Sequence, residues 1–139
     1  MAIKLGQNKS CFLSGATISS TKEGVGVKLD STIFRVVLAT AGSQNIGIIT
    51  DNGTYAINDT INIATDAGDI VQVLAGGVGF SIGDNLKTDS NGAWVTASVG
   101  DASFAVALQN ATSGQLGWAI IQPMLGGQTG PTGYTGYTR

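Results

Sequence analysis

The chain has 139 residues, which is enough for one domain with a single hydrophobic core and too few for two ordinary domains. Its formal net charge is -2, and its charged fraction of 12% is about half that of a typical soluble domain. This composition excludes binding to nucleic acid through a basic surface, and it indicates a surface that is partly buried against a partner. Histidine is absent, which excludes histidine-based acid–base and triad chemistry.

The first segment, residues 1–30, mixes polar residues with glycine and is mildly basic. It contains no apolar run of signal-peptide length, and no later run approaches the roughly 20 apolar residues of a membrane span. We therefore expect a chain that is made in a cytoplasm and has no contact with a membrane. Because residues 24–29 alternate, the segment is predicted to form an arm or a first hairpin. Cys11 cannot form an internal disulfide and is predicted to be a small buried hydrophobe.

The central segment, residues 31–125, alternates over short stretches, which predicts β-strands of about four to seven residues. Residues 33–38 read as a strand that is apolar on both faces. The odd-numbered residues of 57–63 share one face of a half-buried strand. Residues 70–74 are again apolar on both faces, as in a central strand that is packed from two sides. The even-numbered residues of 104–108 share one face of a later strand.

Turn signals separate these strands at intervals of roughly 8 to 12 residues, a spacing typical of a β-sandwich or β-barrel. Asparagine, aspartate and glycine dominate the turns, because they accept positive φ or hydrogen-bond to their own backbone. The turns lie at 51–53, 66–69, 76–77, 83–85, 91–92, 100–101 and 113–114. The sequence therefore predicts an all-β fold: a compact β-sandwich or β-barrel of short antiparallel strands, with an N-terminal arm or hairpin and an extended C-terminal tail.

Nearly all aspartates sit in or beside these turns, where an aspartate side chain caps its own backbone. A hydrolase with paired carboxylates remains an alternative, although their spacing singles out no pair. Residues 89–92 resemble the first part of a calcium loop, but a third oxygen ligand and a bidentate glutamate are missing. No catalytic, cofactor-binding or metal-binding residue is assigned.

The last segment, residues 126–139, has glycine at every third position from Gly127 to Gly136. A collagen triple helix requires this period. The alternative interpretation of so short a repeat is a flexible extension that becomes ordered on a neighbour. Tyr134 and Tyr137 of this tail are predicted to be contact residues.

The remaining candidates for function are aromatic. Trp94 and Trp118 lie in strand-like segments, and Tyr55 lies on a predicted loop. Exposed tryptophans on a β-domain would indicate sugar stacking, whereas packing in the core or at a subunit interface is the commoner role. The candidate partner or subunit contacts are Trp94, Trp118, Tyr55, Tyr134 and Tyr137.

The order of the turns in the central segment is similar to that of a known family. The stretches that carry it are N-I-G-I-I-T-D at 45–51, A-G-D-I-V-Q-V at 67–73, I-G-D-N-L-K-T-D-S-N-G-A-W-V-T-A at 82–97 and F-A-V-A-L-Q-N-A-T-S-G at 104–114. They resemble the small β-domain of tailed-phage capsid decoration, or cement, proteins, in which a G-V-A strand is followed by A-G-D-x-V-x-V, G-D-x-L-x-x-D-x-x-G and G-V-A-L-x-x-A-x-x-G. The resemblance covers about residues 46–121. Phe104 and Ala105 replace the usual glycine and valine of the last motif, and the tail is an addition.

This resemblance implies a non-enzymatic structural protein of the virion, located on the outer surface of an assembled phage head. The implied partner is the major capsid protein, whose neighbouring subunits such a protein cements. Together with the glycine period of the tail, this predicts a symmetric homo-oligomer, with a trimer ahead of a dimer. The alternative function is a tail- or fibre-associated carbohydrate-binding β-module, which the tryptophans and the tail tyrosines would serve.

Overall fold

The computed structural model describes residues 9–20, 22–32 and 34–125, and this part of the chain is all-β without a helix. The predicted fold class is therefore confirmed. The ten strands of the described part are β1 (Lys9–Ser14), β2 (Gly26–Leu29), β3 (Arg35–Leu38), β4 (Asn45–Ile49), β5 (Thr60–Ala64), β6 (Ile70–Leu74), β7 (Asn85–Thr88), β8 (Trp94–Thr96), β9 (Ser103–Ala107) and β10 (Leu116–Met124).

The first five strands form a closed barrel in the order β1-β3-β2-β4-β5. Neighbouring strands are antiparallel except β1 and β3, which run parallel. Because β1 pairs with both β3 and β5, each barrel strand has a neighbour on both sides. Fully buried branched side chains fill the interior: Val27, Val36, Ile49, Ile61 and Ile63.

The last five strands form a second sheet in the order β6-β10-β9-β7-β8, with antiparallel neighbours throughout. This sheet curls, because Ala75, directly after β6, makes a parallel bridge with Trp94 of β8. Alternate residues are buried on its inner face: Val71, Val73, Leu86, Ala105, Ala107, Ala119 and Ile121. Ile48 and Ala64 of the barrel wall belong to the same cluster, which joins the two regions.

The same turn construction recurs at 66–69, 81–84 and 98–101. The N–H of the terminal aspartate donates to the first residue's C=O at 3.1, 3.0 and 3.0 Å. Its carboxylate accepts the first residue's N–H at 3.3, 2.9 and 3.0 Å. The third residue is a glycine with φ of 92, 88 and 93°, as a type II turn requires. Turn 56–59 repeats the pattern with Asn58 at φ 72°, so the prediction that these aspartates cap their own turns is confirmed.

The N-terminal segment, predicted to form an arm or a first hairpin, contributes β1 and β2 to the barrel. β1 pairs with β3 and β5, whereas β2 pairs with β3 and β4, so the two strands are not paired with each other. Alternation marked β2 as a strand, but its partners lie later in the chain. Residues 1–8, the side chain of Cys11 and the predicted tail at 126–139 lie outside the described part of the structure.

β6 is an edge strand rather than the predicted central strand. Its burial alternates, with Val71 and Val73 fully buried while Ile70 and Leu74 are half-buried. The apolar residues of its second face lie on a sheet surface that remains partly exposed to solvent. The apolar residues on one face of β6 therefore belong to the core, and those on the other face belong to a partly exposed surface. The strand is not packed from two sides.

The predicted inward faces of two other strands also differ. On β9, Phe104 of the predicted face is buried, but Ala105 and Ala107 of the opposite face are buried as well. Val106 is half-buried, and Leu108 after the strand is 39% exposed. Ala105 lies in register with Leu86 on the curled inner face, where a small side chain fits beside a large one. Ile57 is 51% exposed in the turn before β5, because that strand begins only at Thr60.

Candidate partner-binding surface

The second sheet has an apolar side directed away from its buried inner face. We call this side the outer face. Its residues are half-buried and come from three neighbouring strands: Ile70, Gln72 and Leu74 of β6, Leu116, Trp118 and Ile120 of β10, and Val106 of β9. The register places them together, since Trp118 lies opposite Gln72, and Ile120 lies opposite both Ile70 and Val106.

The outer face is uncharged throughout its described residues. The next charged side chain across the sheet is Lys87 on β7, which is paired with Asp101 at 2.7 Å. Leu108, whose N–H donates to the C=O of Trp118 at 2.8 Å, extends the apolar surface. An apolar, uncharged sheet face of this kind is typical of contact with another protein rather than with a charged ligand.

The hydrogen bonds that flank β6 define which of its backbone groups pair with β10. The N–H of Ala75 donates to the C=O of Gln115 at 2.8 Å, and the C=O of Asp69 accepts the N–H of Ile121 at 2.9 Å. Both bonds involve odd-numbered residues on the β6 side. Because antiparallel pairing has a two-residue period, Val71 also pairs towards β10.

The even-numbered residues of β6 direct their N–H and C=O groups to the other edge of the strand. The N–H of Leu74 donates to the C=O of Gly24 at 3.1 Å, which agrees with this assignment. Among the described residues, none forms a hydrogen bond with the edge-directed backbone groups of Ile70 and Gln72. β6 therefore leaves an open edge beside the outer face.

Trp94 is a core residue. It is fully buried, and its ring stacks on Phe104 with centroids 6.0 Å apart. Its Nε1–H donates to the C=O of Gly24 at 2.9 Å, which connects the second sheet to the barrel. A Cβ at Gly26 would lie 2.9 Å from the Trp94 ring, so glycine permits this approach. This burial does not fit a contact with a partner.

Tyr55 is also buried, at 8% exposure. Its hydroxyl donates to the Asp51 carboxylate, which also accepts the Asn62 side-chain amide at 2.8 Å. Burial raises the pKa of Asp51, but hydrogen bonds from Tyr55, Asn62 and Gly53 outweigh burial and hold this pKa below its usual value. Burial, followed by the hydrogen bond and charge of Asp51, raises the pKa of Tyr55. The pair stabilises a barrel loop.

Exposed apolar residues also occur at one end of the barrel. Phe34, on the connection between β2 and β3, is 60% exposed, and Leu29 at the end of β2 is 58% exposed. Phe34 has a φ of 59°, which is strained for an aromatic residue. Arg35 Nε donates to Asn58 Oδ1 at 3.0 Å beside this end. Sequence patterns gave no signal for this cluster.

A cleft of about 530 Å³ lies among the turns of the second sheet. Its side-chain acceptors are bonded to backbone N–H groups: Asn110 at 2.7 Å, Gln115 at 3.2 Å and Asp84 at 2.9 Å. Its lining ring, Phe80, is 6% exposed. These polar groups thus stabilise turns, and Phe80 offers little surface for a sugar ring.

The described residues bring together no group of His, Cys, Asp and Glu that could hold a metal ion. They also contain no helix that is long and apolar enough to cross a membrane.

The predicted site residues therefore separate into distinct environments. Trp118 lies on the outer face, Trp94 and Tyr55 are buried, and Tyr134 and Tyr137 lie outside the described residues. The aliphatic residues of the outer face were not among the predicted contacts. Their signal was present in residues 70–74, whose apolar character on both faces was interpreted as central packing.

Comparisons with known proteins show a likeness in fold but none in sequence. No protein-family model and no curated protein matches the chain in sequence. In fold, the chain is similar to the N base of the head fibre gp8.5 of bacteriophage phi29, with a TM-score of 0.60 over 88% of this chain and 95% of that chain. The two chains are 18% identical, so the likeness concerns the fold.

Proposed function

We propose that the chain is a structural protein of a phage head, which binds the outer surface of the assembled capsid and cements neighbouring major capsid subunits. The observation that carries this proposal is the fold likeness to a head-fibre base across nearly the whole of both chains. Because one fold hosts many functions, the likeness supports a phage-head role. The cementing role is supported by the resemblance of the turn order to cement proteins.

The outer face supports the proposal because its composition fits burial against another protein. A protein that binds the assembled form stabilises it by its binding free energy. On a capsid, weak contacts are repeated over many copies and add up across the lattice. The low charged fraction of 12% favours such burial, since few charges lose their hydration.

A homo-oligomer is part of the proposal, with a trimer ahead of a dimer. The glycine period from Gly127 to Gly136 supports three-fold association, because a triple helix uses three chains. Light scattering on the full chain at micromolar concentration should give three times the monomer mass. A monomer would contradict this part of the proposal.

The carbohydrate-binding alternative loses one residue on which it depends, because Trp94 is fully buried. Trp118 is half-buried among aliphatic residues of a sheet face, which fits protein contact better than stacking on a sugar. No second function is therefore proposed.

Co-sedimentation tests the proposed function. The chain is mixed with assembled, genome-free capsids of the virus that encodes it, and the capsids are pelleted. We expect enrichment in the pellet that saturates at a fixed number of copies per capsid subunit. Unassembled capsid subunits are the control, because they lack the joints between neighbours and should bind more weakly. Recovery of the chain in the supernatant at every concentration would contradict the proposal.

A further inference from the structure

We propose that the open edge of β6 is a strand-addition site that pairs with an extended, uncharged segment of the major capsid protein. This inference rests on the proposed function, because it names the element of the chain that contacts the capsid.

The edge presents backbone groups that another extended backbone can pair in series. The N–H and C=O of Ile70 and Gln72 point out of the sheet two residues apart, whereas the next group along this edge, the C=O of Leu74, is taken up by the bridge between Ala75 and Trp94. This spacing is that of a β-ladder. The N–H of Leu74 is already bonded to Gly24, so an added strand would continue the pairing from that point.

β6 also lacks the features that normally protect an edge strand. Its sequence, I-V-Q-V-L, contains no charge, proline or glycine, and its pairing with β10 has no bulge. The opposite edge strand, β8, is only three residues long, and the bridge between its Trp94 and Ala75, directly after β6, occupies part of it. Ile70 and Gln72 lie before this bridge, so β6 offers the longer open edge to a partner.

The outer face determines which side chains the added segment presents. Alternate residues of that segment would lie beside Ile70, Gln72 and Leu74. None of these is charged, and the adjacent Trp118 and Ile120 are apolar. The segment is therefore expected to be uncharged and apolar on this side, because a charge there would lose hydration without gaining a partner.

A capsid segment fits this edge better than a second copy of the chain. The open stretch extends only from Ile70 to Gln72, whereas stable interfaces involve about 20–30 residues on each side. Two copies paired through β6 alone would fall well short of that size. A capsid segment does not need so large an interface at this edge, because the edge is one of many contacts that the lattice repeats.

The substitution Gln72→Pro tests this edge in the full chain. Proline removes the N–H that points out of the sheet and places its ring where the added strand would lie. The pairing of β6 with β10 does not use this N–H, so the fold should tolerate the change. Gln72→Ala is the matched control, because it removes the side chain and keeps the N–H.

We expect Gln72→Pro to bind capsids at least about tenfold more weakly than the unmodified chain in co-sedimentation. Gln72→Ala measures the loss of the side chain alone, and Gln72→Pro should bind clearly more weakly than Gln72→Ala. Equal binding of Gln72→Pro and the unmodified chain would overturn the edge assignment and leave the proposed function intact. Failure of the unmodified chain to bind would instead overturn both. Dimerisation of the unmodified chain that Gln72→Pro abolishes would assign the edge to a second copy and overturn the capsid segment.

Amide exchange of the unmodified chain gives a second readout that does not depend on the folding of a variant. The Ile70 and Gln72 amides should exchange at least about tenfold more slowly on the capsid than in the free chain, because pairing protects them. Unchanged exchange of the β6 peptide on a capsid-bound chain would overturn the assignment.

Discussion

The barrel and the second sheet consist of similar short strands but differ in what they leave unpaired. The barrel closes between β1 and β5, and each of its strands has two neighbours. The second sheet curls without closing along β6, and its outer face remains half-buried. Closure removes edges and so favours a stable scaffold, whereas an open edge beside an apolar face favours contact. We therefore interpret the barrel as the support and the second sheet as the contact region.

The largest expected effect concerns the junction of the two regions. Trp94→Ala should lower the free energy of unfolding by about 3–5 kcal/mol, because a fully buried large side chain is lost. The C=O of Gly24 also loses one of its two donors. Urea unfolding measures this loss. Trp118→Ala is the control and should cost less, since Trp118 is half-buried. Equal losses for the two variants would contradict the assignment of Trp94 as the junction.

A pair of proline substitutions distinguishes the two edges of β6. Val73→Pro should cost at least about 1–3 kcal/mol more than Val73→Ala, because it removes an N–H that pairs with β10 and leaves a buried acceptor unsatisfied. The difference in stability between Gln72→Pro and Gln72→Ala should be clearly smaller, because the N–H of Gln72 lies on the open edge. Thermal unfolding compares the four variants. Similar costs at the two positions would show that the assigned edge is wrong.

A smaller effect concerns strain in the barrel. Phe34 has a φ of 59° and is 60% exposed. Glycine adopts this conformation freely, whereas a residue with a Cβ pays about 1–2 kcal/mol, and the greater chain entropy of glycine offsets about 0.5–1 kcal/mol. Phe34→Gly should therefore be more stable than Phe34→Ala by about 0.5–1 kcal/mol in thermal unfolding. A less stable glycine variant would rule out backbone strain at this position.

The smallest expected effect is the pH dependence of the barrel loop. The pKa of Asp51 is lowered from its ordinary 3.8 in the folded chain, so its contribution to stability is present above pH 3.8 and is lost as the pH falls below it. The pKa of Tyr55 is raised from 10.0, so its contribution is lost as the pH rises above 10.0. Melting temperatures across pH should fall at both ends. Asp51→Asn should reduce the acidic fall, to which Asp101 also contributes because its hydrogen bond from Lys87 lowers its pKa. Tyr55→Phe should reduce the alkaline fall, and an unchanged fall in either variant would exclude the substituted group as a cause.

The turns were the part of this fold that could be predicted best from the sequence. The aspartates at positions 69, 84 and 101 cap turns whose glycines have positive φ, because both properties depend on adjacent residues only. The partners of each strand are set by contacts that are distant in the chain, as for β1, which pairs with β3 and β5. For that reason the sequence predicted an arm or hairpin at the N-terminal segment without the partners of its strands.

Only part of the contact surface could be predicted from the sequence, for the same reason. Trp94 and Trp118 look alike in sequence, and only the pairing of β8 and β10 buries the first and leaves the second on the outer face. The apolar pattern of residues 70–74 was visible, but a strand between a core and a docking surface has the same pattern as a central strand. The exposed Phe34 has no sequence signal, because its strain arises from the path of the connecting loop.

The most direct test of the central claim is a cryo-EM reconstruction of assembled capsids incubated with the chain. The account predicts density for the chain on the outer surface, across joints between capsid subunits, with the second sheet towards the shell and a capsid strand along β6. Capsids without this density would contradict the proposed function. Density that contacts the shell only through the barrel, with the outer face in solvent, would contradict the interpretation of the second sheet as the contact region.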